Sequence, residues 1–137
     1  MKRSFLFSTA MIFLVLGSRA QIADYKVVFD ISSQDSVAQQ AVVREVNLIK
    51  TANPAAKLEV VLYGQSLNLV TNGSKHSDAV QKLVAMPDVS FKVCEIAMAR
   101  QHIDKSQLLP GVQTVPDGIY EIISKEKEGW GYIKVAH

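Results

Sequence analysis

From Tyr25 to Val135 the chain alternates strand-like apolar runs with segments whose apolar residues recur at helical spacing, and few architectures accept that pattern. Tyr25–Ile31 is a near-continuous β-branched and aromatic run, as in a strand covered on both faces. Ser32, Ser33 and Asp35 then offer N-caps to a helix whose apolar face includes Val37, Ala41, Val42, Val46 and Ile49, and which Asn53-Pro54 stops after Thr51. Leu58–Tyr63 is a second strand, ended by Gly64. Leu67–Thr71 fits either a short strand or a buried loop, and Asn72-Gly73 is a turn signal. Ser74 or Ser77 is positioned to cap a helix in which Ala79, Val80, Leu83, Val84 and Met86 share a face, with Pro87 closing it. Val89–Val93 alternates apolar and polar as a third strand, and Cys94 follows at once. Glu95–His102 favours a helix with Arg100 in its last turn, and Ile103–Gly111 is a loop. Val112–Val115 is a fourth strand. Pro116-Asp117-Gly118 opens a last helix, Ile119–Glu128, with Ile119, Tyr120, Ile122 and Ile123 as its apolar residues. Trp130–Val135 is a fifth strand.

Strict strand–helix alternation with short links predicts a mostly parallel five-stranded sheet in a three-layer α/β/α, flavodoxin-like arrangement, because parallel strands need crossovers and those crossovers are right-handed. Ligands of such open sheets bind beyond the carboxyl ends of the strands. Cys94 is placed on that edge.

The segment before the first strand reads differently. Lys2 and Arg3 precede a run, Phe5–Gly17, that is apolar apart from Ser8 and Thr9, and Ser18-Arg19-Ala20 supplies small residues for a cut before Gln21. This is the order of a secretory signal peptide over residues 1–20, leaving 21–137 as one domain, periplasmic or secreted. The apolar stretch falls short of the ~20 residues that a bilayer span needs, so no stable membrane anchor is expected after cleavage. Three of the 15 basic residues, Lys2, Arg3 and Arg19, fall in that segment, so in the remainder 12 basic face 13 acidic side chains and the net charge changes from +2 to −1. The basic residues of the domain are scattered among acids, with no stripe to track phosphates, so nucleic acid is not an expected partner.

The chain has one cysteine, which in an exported protein is an intermolecular partner, a free reactive thiol or a buried inert residue. At a strand-to-helix junction the helix's unpaired N–H groups and dipole favour thiolate, and Lys92, two residues upstream on an alternating strand, projects to the same side and adds positive charge. Arg100 is a further source of positive charge, though a helix carries it away from the thiol. Against this, a lone cysteine at the end of an apolar strand is commonly core filling, and both readings stand on the residues alone.

Other site chemistry finds little support. His76, His102 and His137 are far apart without acids or cysteines at metal-site spacing, and no metal or cofactor is expected. There is no G-x-S-x-G elbow, G-x-G-x-x-G fingerprint or P-loop. Ser32-Ser33 reads as capping rather than anion binding.

Val89-Ser90-Phe91-Lys92-Val93-Cys94 followed by Arg100, then Leu108-Leu109-Pro110-Gly111-Val112, Val115-Pro116-Asp117-Gly118 and Gly129-Trp130-Gly131-Tyr132-Ile133-Lys134, resembles the DsrE/DsrF-like family across Tyr25–Lys134. The resemblance implies a five-stranded parallel core and assembly into homo- or hetero-oligomers. It also implies sulfur carried as a persulfide on a cysteine at the end of the third strand, the position of Cys94, with a sulfur donor or acceptor protein as partner; Lys92 and Arg100, from their own charge and position, are the expected electrostatic support. Relay members work in the cytoplasm, whereas this chain carries an export signal. The competing expectation is a non-catalytic oligomeric or small-ligand-binding envelope module in which Cys94 is a structural core residue.

Overall fold

The computed structural model describes residues 23–136, so the signal peptide read over residues 1–20 lies outside the described part. Five strands, β1 (Lys26–Ile31), β2 (Lys57–Leu62), β3 (Val89–Cys94), β4 (Gln113–Val115) and β5 (Gly131–Lys134), form one sheet in the order β4-β3-β2-β1-β5. All neighbours pair in parallel. The helices are α1 (Ser36–Ala52), α2 (Ser77–Val84), α3 (Glu95–Arg100) and α4 (Gly118–Lys127).

The strand order dictates the layering. The chain steps from β1 to β4 in one direction and then returns across the sheet to place β5 beside β1. Right-handed crossovers in opposite directions put their helices on opposite faces. Helices α1 and α2 therefore cover one face, and α4 alone crosses the other, touching β1, β2, β3 and β5.

Those two faces differ sharply in chemistry. Under α1 and α2 lie Phe29, Ile31, Leu58, Val60, Leu62, Phe91 and Val93, all at most 1% exposed, and α1 adds Val42 and Val46. Each such side chain contributes about 1.5–3 kcal/mol by leaving water. Under α4 the buried apolar set among the described residues is Val28, Val61 and Ile122, with Tyr63 and Trp130 packed at its margin. The remaining inward positions on that face include Asp30, Glu59 and Lys92, so charged groups take up space that an ordinary core gives to carbon.

Local chemistry accounts for the boundaries. Asp35 caps α1, its carboxylate accepting from the Ala38 N–H at 2.9 Å. Neither Ser74 nor Ser77 caps α2: His76 occupies that position without a side-chain bond, and the Ser74 hydroxyl instead accepts from the His76 N–H. Leu67–Thr71, open in sequence between strand and loop, becomes a 3-10 turn at Ser66–Leu69, because the Ser66 hydroxyl is held by the Ile31 and Tyr63 carbonyls. Helix α3 stops at Arg100, short of the expected His102. The Ile103 N–H reaches back to the Met98 carbonyl at 3.0 Å and His102 turns left-handed at φ 54°, the paired closure that ends a helix. A second 3-10 turn, Lys105–Gln107, punctuates the following loop.

Candidate functional site

Cys94 ends β3 and is the N-cap of α3. Its side chain is free, 5% exposed, and makes no capping hydrogen bond to α3. By strand alternation it faces the α4 layer, and Gly118, the first residue of α4, lies against it: a methyl group at Gly118 would stand 3.1 Å from the Cys94 Cβ and 3.2 Å from Val61 Cγ1. Only a glycine lets the helix start this close to the thiol.

Cys94 contributes to the lining of a pocket of about 420 Å³ at the carboxyl edge of the sheet. Tyr63, Gly64 and Gln65 after β2 form one wall, Ile96, Ala97, Arg100 and Gln101 of α3 another, and Asp117 and Ile119 of α4 the third. Gly64 sits at φ +57°, and a Cβ there would come within 3.0 Å of the Ser32 carbonyl, so this wall also depends on a missing side chain. Gln101 donates to the Gly64 carbonyl and ties the α3 wall to the β2 wall. Ile96 and Ile119 are 45% and 46% exposed, which gives the mouth an apolar rim.

The two expected supporting cations have different fates. Arg100 lines the pocket and, among the described residues, has no carboxylate within ion-pair distance, so its guanidinium is available to a group in the pocket. Lys92 shares the α4 face with Cys94, but its ammonium is held by Glu59 Oε2 at 2.9 Å and Glu121 Oε1 at 2.8 Å. Burial alone would lower the Lys92 pKa, yet the hydrogen bonds to Glu121 and Glu59 raise it overall. Burial holds Glu59 above the usual carboxylate range; burial pushes Glu121 the same way, but its hydrogen bonds to Lys92 and Glu59 and the charges of Lys92 and Lys125 together outweigh it and take Glu121 below. The Lys92 charge thus goes first to two carboxylates.

A further polar cluster was not singled out from sequence. Asp30, 5% exposed at the end of β1, accepts from Tyr132 Oη at 2.6 Å and Lys134 Nζ at 3.0 Å. Lys134 also donates to the Tyr63 hydroxyl at 3.0 Å. The pattern that could have found it is the shared polar alternation of Asp30 and Tyr132-x-Lys134 on strands that register side by side. Among the described residues no group of three or more His, Cys, Asp or Glu side chains is placed to hold a metal ion, and no helix is long and apolar enough to cross a membrane.

A parallel five-stranded α/β/α protein with a lone cysteine at the carboxyl edge of its third strand is the class that fold and site define. The DsrE/DsrF-like family model matches residues 26–135, and the chain belongs to that family. A solved structure of a protein of unknown function from Methanobacterium thermoautotrophicum is 30% identical, with a TM-score of 0.77 over 81% of this chain and 99% of that one. The folds of a conserved protein of unknown function from Bacteroides thetaiotaomicron (13% identity, TM-score 0.68, 80% and 94% of the two chains) and of the E. coli ychN protein (13%, 0.66, 81% and 98%) are also similar. No curated protein matches the chain significantly.

Proposed function

We propose that this protein carries sulfane sulfur as a persulfide on Cys94 and passes it to an acceptor, outside the cytoplasm if residues 1–20 export it. The family is generally linked to sulfur relay. The observation that carries the reading is the place of the one cysteine in the lining of a pocket shared with an arginine that has no ion-pair partner among the described residues.

In the loading step the Cys94 thiolate attacks the outer sulfur of a donor persulfide. The Cys94 S–S bond forms, the donor's own S–S bond breaks, and the donor leaves as a thiolate, so no external oxidant or reductant is needed. Arg100 faces the anionic outer sulfur. Lys92 acts at one remove, by fixing the charge balance beneath α4. Unloading is the same exchange with Cys94 as the leaving group. The exposed Ile96 and Ile119 at the mouth suit a protein donor or acceptor, and Tyr120 and Ile123 beside them suit assembly with further copies of this chain.

The second reading, an oligomeric or small-ligand-binding envelope module with Cys94 as a structural residue, has one observation in its favour: the 5% exposure of the thiol. There Cys94→Ser would lower stability by about 1–3 kcal/mol and leave function intact. Transfer separates the two. Protein treated with a persulfide donor, desalted and mixed with a small thiol is expected to release sulfane sulfur, scored by cyanolysis, in an amount that Cys94→Ser abolishes. Equal release from the variant supports the structural reading.

A further inference from the structure

Helix α4 is bound to the sheet by unusual means. It buries only Gly118 and Ile122, whereas α1 buries five residues, among them Ala38, Val42 and Val46. Its residues Ile119, Tyr120 and Ile123 are 46%, 73% and 48% exposed, so they bury far less against the sheet than the inward face of α1 does. What substitutes for apolar contact is ionic: Glu121 holds Lys92 of β3 at 2.8 Å, and Lys125 lies 4.0 Å from Glu59 of β2 and 4.9 Å from the centre of the Trp130 ring.

Such an attachment is weak in net free energy. Hydration lost by the charges offsets much of the attraction they gain, so charged groups reimmersed by an opening recover part of what the pair gave up. Glu59 sharpens the point. It is 2% exposed, its Oε2 accepts from Lys92 and Ser90, and its Oε1 is buried with no partner among the described residues. A buried acceptor without a partner is penalised while the helix is down, and relieved when water reaches it.

We propose that α4 is a gate over Cys94: it lifts from the sheet through rupture of the Lys92–Glu121 pair, while the α1/α2 layer stays folded, and lifting uncovers the thiol. Gly118 is the part of the gate that rests on Cys94, and Asp117 and Ile119 are the part that walls its pocket. Opening of this kind is a local event, with a free energy well below that of global unfolding. The gate does not depend on sulfur chemistry, because it governs access to the thiol whatever Cys94 carries.

The test is the alkylation rate of Cys94 by the neutral reagent iodoacetamide in the purified native protein. Glu121→Gln is expected to label about tenfold faster than wild type, because the latch is released while Ile122 still packs. Val42→Ala, which weakens the opposite layer and lowers global stability, is expected to label at the wild-type rate. An unchanged rate in Glu121→Gln, or equal acceleration by Val42→Ala, overturns the gate. Hydrogen exchange of the wild type reads the same motion without any variant. The amides of Ile122 and Ile123 should exchange at least about tenfold faster than those of Val42 and Val46, and equal protection of the two helices overturns the proposal.

Discussion

Gly118 and Cys94 touch across the junction of α4 and β3 so closely that a Cβ on the glycine would approach the Cys94 Cβ to 3.1 Å. At an ordinary helical position, replacing glycine by alanine stabilises by about 0.5–1 kcal/mol. Here the opposing atom is fixed to a strand backbone and cannot swing aside, so overpacking outweighs the gain. Gly118→Ala is expected to lower stability by about 1 kcal/mol in urea unfolding. A stabilised variant would mean that α4 stands further from Cys94 than this contact requires.

Lys92 is the partner of a carboxylate whose side chain is only 3% exposed. Lys92→Ala leaves Glu59 only the more distant Lys125, at 4.0 Å, and is expected to destabilise by about 3 kcal/mol, whereas a double change of Lys92 and Glu59 to leucine recovers most of that loss. Chemical denaturation of the two variants measures the difference. Equal destabilisation of single and double variants would place the cost in packing rather than in the unpaired charge.

Tyr132 provides the pH signature. Its hydrogen bond to Asp30, with burial adding to it, pushes the phenol up to about 12. A raised folded pKa stabilises the fold fully below the unfolded value near 10, and the contribution is lost as pH rises through about 12. Ultraviolet titration should therefore show one phenol ionising late, and Asp30→Asn should return it toward 10. A normal titration in the wild type would mean that the Asp30 contact is absent in solution.

These sites show where sequence reading succeeds and where it stops. The order of elements was legible because each strand of the parallel core is a short apolar run and each helix boundary carries local chemistry, such as Asp35 or Asp117. Cys94 at the end of β3 followed from the same punctuation, and so did the shared face of Lys92 and Cys94. The partners of Lys92 did not. Nothing in Leu58-Glu59-Val60 marks Glu59 as buried, and its burial depends on the β2–β3 register that sets Glu59 beside Ser90 and Val61 beside Lys92. Asp30 and Lys134 likewise meet across 104 residues. In α4 the apolar residues were located but not their direction: only Ile122 turns inward, because two carboxylates and two lysines occupy the rest of that face.

Intact-mass spectrometry decides whether Cys94 is the sulfur-bearing group. Purified protein exposed to a sulfane donor and then desalted should gain about 32 Da, one sulfur atom, and the gain should vanish on reduction and be absent from Cys94→Ser. A wild-type mass that does not change under donor, in protein whose Cys94 alkylates freely, would contradict the assignment of sulfur carriage to this residue.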